Sequence, residues 1–243
     1  MNPLLQKFNT KYNSAPFNEI KEEHYLPAFK ELIEKSKKEI DEIANNSEEP
    51  TFSNTIEALA YSGEQLDAVS SIFFNLNSAE TNDEIQKIAQ EVSPLLSEYS
   101  SQISQNEALF NRIKKVYDGF NSPPLEGGSS QRRDRGGLNE EQTTLLNETY
   151  KGFVRNGALL NDEDKKKLEK INMDLSLKSL QFGQNVLAET NNYFKHITDE
   201  KDLAGIPAPI LEQYREEAKE RNLDRFVITL QYPSYLPLMT YAA

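Results

Sequence analysis

"TNDEIQKIAQEVSPLLSEYSSQI", residues 81–103, decides the fold class. Thr81 is followed three residues later by Glu84. That is the spacing of a capping box, in which a hydroxyl accepts from a first-turn amide and the acid returns the bond. Asp83 adds negative charge where the backbone dipole of a starting helix is positive. Behind the box come Ile85, Ile88, Ala89, Val92, Leu95, Leu96, Tyr99 and Ile103, mostly three or four residues apart. One apolar stripe with a polar back is an amphipathic helix that must lie against a core.

The same period runs outward in both directions. From Phe52 it passes through Ile56, Leu59, Ala60, Leu66, Val69, Ile72, Phe73 and Leu76, and residues 22–45 satisfy it too. Downstream, "NEEQ" at residues 139–142 forms a second box, opening a helix through Leu145, Leu146, Tyr150 and Phe153. Asn161 then stands as an N-cap before "DEDKKKLEKI", and that helical face continues through Leu168, Ile171, Leu175, Phe182 and Val186. Residues 208–222 are helical by the same test. Only "FVITLQ", residues 226–231, has the β-branched and aromatic content of a strand. The expectation is an all-α protein with one short, unpartnered strand near its C-terminus, a strand that cannot satisfy its own backbone groups. No internal repeat is visible.

Composition narrows the function classes. The 243 residues carry 39 acidic against 27 basic side chains, net −12. Nucleic acid and anionic membrane surfaces both need a positive field, so neither is expected as a partner. The absence of cysteine excludes disulfides, thiolate nucleophiles and cysteine-ligated metal. "MNPLLQKFNTKYNSAPF" has no basic stretch leading into an unbroken apolar run, and no window reaches transmembrane length. A cytoplasmic location is expected.

Residues 119–137, "GFNSPPLEGGSSQRRDRGG", break the pattern with half of the chain's ten glycines and three arginines, Arg132, Arg133 and Arg135. They read as a flexible insertion between helices. An arginine-rich nucleic-acid contact is the weaker reading, because no aromatic residue is interleaved with the arginines.

Catalytic chemistry is hard to place. Helical zinc hydrolases show H-E-x-x-H, with two histidines on one face. This chain has only His24 and His196. His24 directly follows Glu22 and Glu23, so those carboxylates do not share its face. There is no G-x-S-x-G elbow, phosphate loop or dinucleotide fingerprint. Carboxylates are plentiful, but nothing selects one pair as a glycosidase-like couple. No catalytic residue and no metal ligand is assigned.

Several stretches together resemble one family. "NPLLQKF" and "EEHYLPAFKELIEKSKKEIDEI" are similar to the opening of the thimet oligopeptidase/neurolysin-like zinc peptidases, most closely the bacterial dipeptidyl carboxypeptidase and oligopeptidase A branch. "PTFSNTIEALAYSGEQL", residues 50–66, resembles that family's P-T-F-x-N-T-I-x-A-L segment almost letter for letter. "LFNRIKKVYD", "LNEEQTTLLNETYKGFVRNGALL", "LKSLQFGQNVL", "LAGIP" and the closing "VITLQYPSYLPLMTYA" follow in the same order. Residues 119–137 depart from the pattern.

The resemblance implies an antiparallel helical N-terminal domain of a neurolysin-like zincin. In that family it forms one wall of a narrow channel admitting short peptides, and a second half carries H-E-F-G-H and a further glutamate. Zinc is thus the cofactor of full-length relatives, and none is expected in this chain, which ends before such a motif. The expected organisation is a helical domain over residues 1–224 and a strand with a truncated lead-in over 225–243. Such a chain is expected to be inactive alone. The alternative is a non-catalytic helical module that binds peptides or a protein, and an unrelated enzyme is a distant third. In either of the first two cases the tail, with Phe226, Ile228, Tyr232, Tyr235, Leu236 and Tyr241, is the expected docking surface for a zinc-bearing partner or a second copy.

Overall fold

A computed structural model describes residues 1–121 and 137–242. The body of the expected insertion, residues 122–136, lies outside the described residues. The chain divides into two compact units, Met1–Lys178 and Ser179–Ala243.

The first unit opens with 3₁₀ turns at Pro3–Leu5 and Glu22–His24. It continues through α1 (Tyr25–Ala44), a π-helical turn (Phe52–Glu57), α2 (Ala58–Tyr61), α3 (Glu64–Ala79), α4 (Asp83–Ser104), α5 (Glu107–Asn121) and α6 (Glu140–Arg155). α7 (Asp162–Asn192) begins in the first unit and ends in the second. The second unit then holds β1 (Phe194–Ile197), a 3₁₀ turn (Glu200–Leu203), α8 (Ala208–Glu220), β2 (Phe226–Thr229) and α9 (Tyr232–Tyr241). Helix dominates, as the apolar period requires.

Caps fix the helix starts. Asn139 and Gln142 exchange the reciprocal bonds of a capping box at 2.8 and 3.1 Å. Asn161 accepts from the Asp164 amide at 2.9 Å. At α4 the cap is Asn82 rather than Thr81, accepting from the Ile85 amide at 2.9 Å. Asparagine caps at least as well as threonine, and the Asn82 amide also donates to the Glu22 carboxylate at 2.6 Å.

α1 is the hub of the first unit, packed on α3, α4 and α5. Tyr25, Phe29 and Phe73 are buried with ring centroids 4.9 and 5.5 Å apart. Each such side chain contributes about 1.5–3 kcal/mol by leaving water. A second cluster joins Ile40, Ile43, Ile56, Leu109, Phe110, Ile113, Leu146 and Phe153.

The period read as continuous from Phe52 to Leu76 is broken. The chain leaves the helix at Ser62 and re-enters through Gly63, whose φ of 75° is left-handed and suits glycine. A second left-handed glycine, Gly157 at φ 93°, ends the turn after α6; a Cβ there would sit 2.7 Å from Leu168.

In the second unit the strand has a partner, correcting the expectation of a lone one. β2 pairs antiparallel with β1, in register from Phe194 opposite Thr229 to Ile197 opposite Phe226. Pairing supplies the backbone partners that an isolated strand would lack. The tail beyond β2 is helical, with Pro233 in the first turn of α9, where a missing amide costs nothing. Ile197, Leu203, Ile206, Tyr214, Phe226 and Ile228 form this unit's own core.

Candidate binding and docking surfaces

The six expected docking residues divide. Phe226 and Ile228 are only 1% and 4% exposed, because β2 is covered by α8 and α9 as well as paired with β1. Arg215 also lies over the Phe226 ring at 4.9 Å. These two are core residues and not part of any accessible surface, a correction to the sequence reading. Tyr232, Tyr235, Leu236 and Tyr241 are exposed on α9, Tyr232 at 71%. The start of α9 is fixed from beneath: buried Tyr214 donates to the Ser234 carbonyl at 2.7 Å, and the Ser234 hydroxyl accepts from the Thr229 amide at 2.9 Å.

α7 supplies apolar surface that the periodicity assigned to a core. None of its residues is buried. Ile171 and Leu175 are each 60% exposed and Phe182 70%. A 31-residue helix showing this much apolar side chain to water has the composition of a covered element.

A concavity of about 570 Å³ opens between α3, α4 and α6. Leu66, Leu96, Ile103 and Phe153 give it an apolar lining, with Asp67, Ser70, Ser100 and Glu148 among the polar members. Asp67 is exposed overall, and what burial it has raises its carboxyl from the ordinary value. Burial likewise raises the Tyr99 phenol; a hydrogen bond to Ser36 opposes that shift, and the charges of Asp67 and Glu39 add to it.

The histidines do not build a metal site. His24 Nδ1 accepts from the Lys21 amide at 3.0 Å. His196 Nε2 lies 2.7 Å from the Asp224 carbonyl. Among the described residues no group of three or more histidine, aspartate or glutamate side chains could hold a metal ion. Among the described residues the donors do not fit zinc.

Arg112 is a buried cation answered by neutral oxygens. Its guanidinium donates to the carbonyls of Asn46 at 2.6 Å and Glu48 at 3.0 Å, to Asn54 Oδ1 at 3.0 Å and to Thr55 Oγ1 at 3.3 Å. Asn54 in turn completes a capping box with Thr51 and donates to the Glu49 carbonyl at 3.0 Å. The "PTFSNTI" and "LFNRIKKVYD" stretches therefore meet through one side chain. Their part here is to clasp the chain between α1 and the π-helical turn onto α5.

Comparison with known proteins accounts for this arrangement of stretches. The dipeptidyl carboxypeptidase of Escherichia coli (strain K12) is 35% identical over 224 residues, 92% of this chain. The oligopeptidase A of Salmonella typhimurium is 30% identical over 240 residues, 99% of the chain. The chain is a homologue of the dipeptidyl carboxypeptidases and oligopeptidases A. A thimet-like oligopeptidase of Dictyostelium discoideum is also 30% identical, over 90% of the chain. The matched regions make up 31%, 33% and 30% of these oligopeptidases, so the chain spans about a third of the length of its relatives. No protein-family model matches the chain.

Proposed function

We propose that this chain is the channel-wall segment of a zinc-dependent oligopeptidase of the peptidyl-dipeptidase type, acting on short peptides in the cytoplasm and without peptidase activity of its own. The observation that carries the reading is the alignment, which takes in 92% of the chain and only 31% of the dipeptidyl carboxypeptidase. Zinc and its ligands would come from the remaining two-thirds of such an enzyme. The wall segment would exclude folded substrates and support the zinc half. The exposed apolar residues of α7 and α9 support the reading, since an element built for covering carries such side chains.

The test is complementation. The chain would be mixed with the portion of the Escherichia coli dipeptidyl carboxypeptidase that lies outside the matched region, and release of C-terminal dipeptides followed with added zinc. Activity is expected from the mixture and not from the chain alone. Peptide hydrolysis by the chain alone, lost on chelation, would overturn the proposal.

A further inference from the structure

We propose that the concavity between α3, α4 and α6 binds an organic cation carried on an alkyl stem, with Asp67 as its counter-ion. The inference does not rest on the peptidase reading.

The volume of about 570 Å³ falls within the range of small-ligand sites, roughly 300–1,000 Å³. Its walls suit a methylene chain: Leu66 and Phe153 are buried, and Leu96 and Ile103 lie beside them. The exposed Asp67 is also in the lining, with Ser70 and Ser100. Among the described residues no lysine or arginine lines the space. Some helix carboxylates of this unit are matched by a lysine one turn away, Glu34 by Lys37 and Glu163 by Lys167. Glu148, on the α6 side of the concavity, is matched by Lys151 at 2.9 Å. Asp67 makes no hydrogen bond or ion pair with another described side chain. Its charge is therefore free to meet a ligand's.

The alternatives are disfavoured on the same grounds. An anionic ligand would meet the charge of Asp67 with no described lysine or arginine in the lining to offset it. An uncharged apolar ligand would fill the walls but further desolvate a carboxylate already pushed toward its neutral form. A cation would reverse that shift and let the ionised carboxylate remain. An ammonium fits the remaining polar lining as well, since its three hydrogens can be shared between a carboxylate and hydroxyl acceptors.

Two sources carry this chemistry, a lysine side chain in a peptide and a free alkyl diamine. Calorimetric titration of the whole chain at pH 7 and low salt would use Nα-acetyl-lysine amide and 1,5-diaminopentane, with Nα-acetyl-norleucine amide as the uncharged control. Stoichiometric binding of at least one cation is expected, with no binding of the control. Asp67→Asn is expected to weaken it by about tenfold or more, a loss of about 1.4 kcal/mol or more. Binding of the lysine amide alone would identify a peptide source, and of the diamine alone a free amine; either supports the site. Thermal unfolding of Asp67→Asn guards against misfolding, since removing a strained carboxylate should leave the fold intact. Equal binding of the norleucine amide, unchanged binding by Asp67→Asn, or no cation binding at concentrations on the order of millimolar would overturn the proposal.

Discussion

Replacing Arg112 by methionine is expected to destabilise the first unit by about 2–4 kcal/mol, because it takes the donor from one buried and several part-buried acceptors. Four oxygens lose a donor. Asn54 Oδ1 is the least affected, since it still accepts from the Thr51 amide at 2.8 Å and the Thr55 hydroxyl at 2.9 Å. The Asn46 and Glu48 carbonyls lose the guanidinium at 2.6 and 3.0 Å. An orphaned acceptor costs about 1–3 kcal/mol when buried; these two lie in part-buried contacts and stand near the low end, so with the buried Thr55 Oγ1 the loss is roughly 3–5. Relief from burying a cation offsets part of that loss. At about 2–4 °C per kcal/mol for a chain of this size, the thermal midpoint should fall by roughly 4–16 °C. Urea and thermal unfolding followed by circular dichroism at 222 nm would measure it. Arg112→Lys should lie between the two, since one ammonium cannot reproduce the planar fork. If Arg112→Met unfolded within about 0.5 kcal/mol of the parent, the surface-substitution range, the clasp would hold nothing and its role here would be refuted.

Gly157→Ala should destabilise by about 1–3 kcal/mol, combining a left-handed φ with a Cβ against Leu168, and chemical denaturation would show it. Asp67→Asn should raise the thermal midpoint at pH 7. The Asp67 carboxyl is raised in the folded state, so its ionisation opposes folding as pH climbs through that raised value. The gain over the parent should therefore vanish in acid, below the unfolded carboxyl range, and a midpoint difference independent of pH would contradict the assignment. Self-association through α9 should appear as concentration-dependent sedimentation, and replacing exposed Tyr235 and Leu236 by serine should abolish it. Unchanged association in that double variant would move the contact elsewhere. Tyr214→Phe should loosen α9 at a cost of about 1 kcal/mol, seen as faster hydrogen exchange of the tail amides.

Most helices were legible because they carry their own signal; α5 and α9 were not read as helices. Asn139 and Gln142 announce a box that the structure forms, and the α4 stripe buries Ile85, Ile88, Ala89 and Val92 as its spacing requires. The break at Gly63 was visible only as the five residues without an apolar stripe member between Ala60 and Leu66, which the surrounding period masked. β1 gave no sign, since Lys195 and His196 fill half of a four-residue strand and its pairing is set by tertiary contact. Phe226 and Ile228 were misplaced for the same reason: with β2 taken as unpaired, its side chains had nothing to bury them. The α3–α4–α6 concavity draws on three helices far apart in sequence, so no local spacing could reveal it. Asp67 becomes distinctive only by its place in that lining.

The bareness of α7 also bears on how this sequence can change with time. A helix facing water gains nothing from Ile171, Leu175 or Phe182 that glutamine or lysine would not supply with better solubility. In a lineage where the chain works uncovered, drift should replace these positions freely with polar residues. Where a larger body covers them, the same replacements should be purged. Those side chains thus keep a slow record of the company the chain has kept, readable by randomising them in the isolated chain and scoring which survivors stay soluble.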